Sequence, residues 1–220
     1  MLQTSRILQQ YQQLQQQQQQ QKHDNIDSHT CPSTTAQLKR YYSSLPTKDV
    51  VRELQLTKRE KLLSLFLSCE APIVDDIVGE WNGILLDNNH WIMTAVTAMI
   101  THVCFGQGGL WKGKIFFKKD KSMSKMGINR FQSKSRSIIT NHMFEYSLTD
   151  SSFQPYTTSL QNNYAPYHPF RLSPWRGMKD ELRWLPCAES SSSGVLIGMG
   201  YFDWSGGMLN ASPFLLVQDV

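Results

Sequence analysis

The sequence predicts a mainly β fold, an antiparallel barrel with one or two helices behind a disordered N-terminal tail, and three observations carry that prediction. From Trp111 onward apolar and polar residues alternate with a period of two, the pattern of strands buried on one side. Pro and Gly punctuate these stretches, at Pro155, Pro166, Pro169, Pro174, Pro186, Gly206 and Gly207, with no helical periodicity between them. All the tryptophans, from Trp81 to Trp204, lie in the same part of the chain, so a sizeable core is available there. Roughly seven or eight short strands without interleaved helices argue for an antiparallel barrel or sandwich.

Taken in order, residues 1–46 read as a disordered, glutamine-rich tail, because Gln9 to Gln21 is interrupted only by Tyr11 and Leu14 and the stretch to Pro46 stays polar. Such a segment buries too little apolar surface to offset an ordering entropy of about 1–2 kcal/mol per residue. It reads as a homotypic interaction tail, a short coiled coil or a tolerated low-complexity extension, and no apolar heptad supports the coiled coil. Residues 47–220 are assigned to the barrel domain, opening on a helix. Thr57-Lys58-Arg59-Glu60 has the form of a capping box, and Leu62, Leu65, Phe66 and Cys69 follow at helical spacing until Pro72. Gly79 to Leu86 reads as a first strand with Trp81, Gly83 and Leu85 on one side. Asp87, Asn88 and Asn89 then cap a second helix with the stripe Ile92, Ala95, Val96, Met99 and Val103.

Beyond it, Trp111, Gly113, Ile115 and Phe117 are expected to oppose Lys112, Lys114 and Lys118. His142, Phe144, Tyr146 and Leu148 oppose Glu145 and Ser147, and Leu182 and Trp184 oppose Glu181 and Arg183. Final strands run through Val195 to Trp204 and Pro213 to Gln218.

The net charge of +4 is unevenly placed: Lys118, Lys119, Lys121, Lys125, Arg130, Lys134 and Arg136 face only Asp120 in their window. This basic loop, 118–136, reads either as a phosphate-seeking patch or as a solvated loop, and no nucleic-acid-binding motif accompanies it. Cys31, Cys69, Cys104 and Cys187 form no C-x-x-C pair, which suggests neither a zinc site nor a disulfide framework. No secretory signal is visible and the longest apolar stretch, Trp91 to Phe105, is too short for a membrane helix, so a cytoplasmic protein without a transmembrane segment is expected.

Chemical motifs fail when tested. Gly108 to Lys114 fits G-x-x-x-x-G-K, but strand-like Ile115-Phe116-Phe117 follows where a phosphate loop needs Ser or Thr and a helix. No nucleophile elbow or H-E-x-x-H occurs, so catalytic and metal-binding residues are expected to be none and no cofactor is assigned. His90, His102, His142 and His168 read as structural or surface residues. Asp180, Glu181 and Arg183 read either as an acid/base cluster or as a solvated, paired polar face. What remains distinctive is aromatic. Ligand pockets are mostly apolar and aromatic, and the candidates for such a lining are Trp81, Trp91, Met99, Trp111, Phe144, Tyr146, Trp184 and Met199. Trp81 reads better as a plug at one end.

Several of these residues stand in a recognisable order. Leu65-Phe66, Ala71-Pro72, Asp75-Asp76 and then Gly79-Glu80-Trp81-Asn82-Gly83 resemble the start of the uncharacterised GXWXG-domain proteins. Trp111-Lys112-Gly113-Lys114-Ile115-Phe116 resembles that family's W-x-G-K-x-F strand. Phe144-Glu145-Tyr146, Met178 to Arg183, Val195 to Met199 and Pro213 to Leu216 continue the likeness. The resemblance covers about residues 62 to 217 and implies a lipocalin-like or fatty-acid-binding-protein-like β-barrel with no established activity. The basic loop, the Pro/Tyr segment Gln154 to Pro174 and the glutamine tail depart from the pattern.

The expected function is therefore non-enzymatic binding of a small apolar ligand, a lipid, pigment or tetrapyrrole, inside the barrel, with helix 90–104 as a lid. The alternative is a protein-interaction module with a solid barrel, its partners met through the Gln-rich tail and the basic loop; no nucleic acid is expected. An isomerase or cyclase acting within the barrel stands third.

Overall fold

A strand with one apolar side must turn that side onto another apolar surface, and here the strands do so by closing on themselves. In the computed structural model the described residues are 35–86, 109–118, 125–133, 135–154, 156–168, 170, 173–187, 194–203 and 210–218. The described residues all belong to the compact unit Ser33–Val220. Among them eight antiparallel strands form a closed barrel in sequence order: β1 (Gly79–Leu85), β2 (Leu110–Lys118), β3 (Lys125–Gln132), β4 (Ile138–Asp150), β5 (Thr158–Asn163), β6 (Met178–Leu185), β7 (Val195–Phe202) and β8 (Ser212–Val217). The seam is β1 against β8, with Gly83 opposite Leu216.

Two strands lie where the sequence pattern shows loops. β3 sits inside the basic segment 118–136, where Arg130 turns outward to Glu80 at 3.2 Å while Asn129 and Phe131 on the alternate positions are buried. β5 lies within Gln154 to Pro174. Its sequence, TSLQNN, has Leu160 as its single apolar residue, which leaves periodicity nothing to read.

β2 reverses the side expected for it. The register slips between Trp111 and Gly113, a bulge that brings Lys112 out of the alternation. Gly113 makes the bulge possible: its φ is +124°, and a Cβ there would lie 1.9 Å from the Trp81 carbonyl oxygen. Past it, Lys114 and Phe116 are buried on the interior side with Trp111, and Ile115 and Phe117 are only partly buried.

Among the described residues three helices precede the barrel: α1 (Thr35–Ser43), α2 (Thr47–Gln55) and α3 (Arg59–Ser68). α1 falls in the stretch assigned from composition to the disordered tail. It is ordered because Tyr42, 4% exposed, joins the core with Val50, Leu54, Leu62, Leu65, Phe66 and Cys69, against the outer side of β7 at Val195, Ile197, Met199 and Tyr201. The expected stripe of α3 is buried throughout, but its capping box is not formed. Lys58 is the N-cap, and the Thr57 hydroxyl donates backward to the Glu53 carbonyl at 2.8 Å, tying off α2 instead. The helix expected over 90–104 lies outside the described residues. No helix among them is long and apolar enough to cross a membrane.

Candidate functional site

Inside the barrel the aromatic side chains make a frame for one buried ammonium. β2 delivers Lys114, 2% exposed, and β6 delivers Asp180, whose Oδ2 lies 2.9 Å from the Lys114 Nζ. Beyond the end of β5, the Tyr164 hydroxyl is 2.6 Å from the same nitrogen, and Oδ1 of Asn129 on β3 is 2.8 Å away. Three N–H donors meet three acceptors, the full complement of a protonated lysine. Phe144 and Tyr164 stand 4.8 and 5.3 Å from the nitrogen at their ring centres, with Trp111 and Phe214 just under 6 Å.

The partners are also bonded to one another. The Tyr164 hydroxyl donates to Asp180 at 2.7 Å and accepts from Lys114 and from the Asn129 amide at 3.2 Å. Asn129 Oδ1 also accepts from the Trp111 indole at 3.2 Å. Burial pulls Lys114 below the ordinary lysine range against the opposing pull of Asp180, and burial beside Asp180 holds the Tyr164 hydroxyl protonated far up the scale. Gly200 makes room for this chemistry, since a Cβ there would stand 2.9 Å from Asp180 Oδ1.

Among the described residues Asn162 is a polar side chain of this interior without a hydrogen-bond partner. Asn162 on β5 lies between Tyr146 of β4 and Asp180 of β6 in the sheet register, and directly opposed residues share a side of the sheet. It is fully buried, yet neither Oδ1 nor Nδ2 has a hydrogen bond. A buried amide left in that condition costs about 1–3 kcal/mol. The end of the barrel nearest to it, where β5 stops and β6 starts, carries Trp175, whose ring stacks on His142 with centres 3.9 Å apart and packs on Tyr164 at 5.0 Å. β1 ends and β2 begins at this end too.

The other side of the β6 wall is also polar and buried, which overturns the solvated face expected for Glu181 and Arg183. Glu181 accepts from the Ser151, Ser159 and Tyr201 hydroxyls and the Ser152 amide at 2.7–3.0 Å. Arg183 donates to the Leu67 and Cys69 carbonyls at the end of α3 and to Thr157, and its guanidinium lies 4.9 Å from the centre of the Phe66 ring. Glu181 thus ties β6 to β5, β7 and the connection after β4, and Arg183 ties it to the end of α3.

Among the residues expected to line the barrel, Trp111, Phe144, Tyr146 and Trp81 belong to one interior cluster with Leu160, Leu182 and Phe214, and Trp184 packs against it. Trp81 is fully buried, donates to the Ile77 carbonyl at 2.8 Å and meets Trp184 edge-on at 6.3 Å, at the end opposite Trp175. Met199 faces the other way: Gly198 and Gly200 occupy the inward positions of β7, and Met199 is packed under the helices. Trp91 and Met99 lie outside the described residues. Lys114, Asn129, Asn162 and Tyr164 were not among the expected residues. Asp180 was weighed as part of an acid/base cluster with Glu181 and Arg183, but those two lie on the other side of the strand.

No family model matches the chain, so the likeness to the GXWXG-domain proteins rests on motif order, and no curated protein is similar to it. A solved structure described as the crystal structure of a protein from Thermomonospora curvata is similar at 12% identity, covering 79% of this chain and 97% of that one with a TM-score of 0.47.

Proposed function

We propose that the chain binds a small, mainly apolar molecule within its barrel without transforming it. The observation that carries this reading is Asn162, a fully buried carboxamide with both ends unpartnered in an interior otherwise walled by aromatic rings. Native interiors leave few such groups unpaired, and a bound molecule supplies the missing bonds. Lys114 has each of its three protons on an acceptor and the Tyr164 proton is on Asp180, which favours a positioning role for Lys114 and Tyr164. In this reading the helix expected over 90–104 covers the end where β1 leaves and β2 enters.

A second reading, a solid barrel serving as an interaction module, draws on the close fit of rings over glycines: Trp111 over Gly83, Phe144 over Gly127 and Phe214 over Gly198. Native mass spectrometry of the chain purified from its own source separates the two. A co-purified small molecule is expected; a bare mass, with no thermal shift across a lipid and pigment panel, favours the solid barrel.

A further inference from the structure

The chemistry around Asn162 restricts what the ligand offers, provided that the barrel binds one as proposed. Asn162 presents a donor, Nδ2, and an acceptor, Oδ1, side by side and fully buried. An ionised carboxylate has acceptors only and would leave Oδ1 unpaired, while an ammonium has donors only and would leave Nδ2 unpaired. The nearby charges give no help to an ion. Among the described residues the buried cation on the interior side is Lys114, whose three protons are on Asn129, Tyr164 and Asp180, and Asp180 stands directly opposite Asn162 in the register. A carboxylate seated at Asn162 would face that aspartate, and the Lys114 protons that could offset it are already taken, in an environment where charge is costly to bury.

We infer that the barrel selects an uncharged ligand whose polar end carries a donor and an acceptor on neighbouring atoms, a primary amide or a lactam, and discriminates against the matching carboxylate. The apolar remainder of the ligand lies against Tyr146 and Phe144, the interior rings on the neighbouring strand. This specificity differs from that of a fatty-acid site, which needs a cation free to meet the head group.

Isothermal titration of the full chain with two matched pairs, benzamide against benzoate and decanamide against decanoate, tests the inference at neutral pH. The amides are expected to bind at least about tenfold more tightly than their acids, the size of one hydrogen bond's discrimination. Asn162→Leu, close in shape but without the amide, should abolish that preference; Asn162→Ser provides the same reading should the leucine variant not fold. Equal affinity for amide and acid, or a preference that survives both substitutions, overturns the head-group assignment while leaving a binding barrel standing. Binding of none of the four compounds, with a bare mass in the native spectrum, overturns the barrel's binding role and this inference with it. Undiminished amide binding in Asn162→Leu overturns the head-group assignment in the same way.

Discussion

Lys114 exchanges water for three acceptors and four aromatic faces, and such an exchange stands only while every partner is present. Lys114→Ala leaves Asp180 buried without its counter-ion, so chemical denaturation should show a loss of about 3–5 kcal/mol. The double variant Lys114→Met/Asp180→Leu is expected to recover much of it, because removing both charges removes the penalty as well. Asn162 behaves oppositely. Asn162→Leu should raise the stability of the ligand-free chain, by about 1 kcal/mol or more, since the buried amide has no bond to lose. Read by urea midpoints, a destabilised Asn162→Leu would mean that the native amide is satisfied.

At the scale of elements, the bulge in β2 and the Arg183 clamp settle where the charges go. Gly113→Ala puts a methyl group onto the Trp81 carbonyl at a positive φ, and should cost several kcal/mol or prevent closure of β1 on β2; the far-ultraviolet circular dichroism of the variant reports which. Arg183→Met keeps the bulk over Phe66 but removes the donors to the end of α3. Hydrogen exchange is expected to speed up at α3 amides first, with the interior of β2 and β3 unchanged; a uniform increase would mean that the clamp supports the whole barrel. The pattern of elements was only partly legible. β2, β4, β6, β7 and β8 announce themselves by alternation, and α3 by its stripe. β5 has almost no apolar residues to alternate, β3 is disguised by its basic residues, and α1, among its described side chains, reaches the core through Tyr42.

For the molecule as a whole, buried tyrosines set the alkaline limit. Burial pushes Tyr146 up to about 12, helped by the charge of Asp75, and raises Tyr42 and Tyr201 further, with Glu53 and Glu181 adding to the effect. In the unfolded chain these phenols ionise near 10, so their contribution to stability is complete below pH 10 and declines as pH rises through 12. Thermal scans from pH 9 to 12 should show a falling midpoint, and Tyr201→Phe should flatten the decline; a midpoint independent of pH would mean that the phenols reach water. The sequence by itself determined the mainly β architecture and its supply of aromatic rings, because period-two burial is a local property that survives in any arrangement of the strands; that the sheet closes into a barrel is a property of the tertiary structure. The tertiary structure alone decided the site. One glycine with a positive φ turned Lys114 inward, and the closing of the sheet brought together Lys114, Asn129, Asn162, Tyr164 and Asp180 from distant stretches of chain. Which charges are buried, and which polar atom is left without a partner, are properties of that packing and not of any segment read alone.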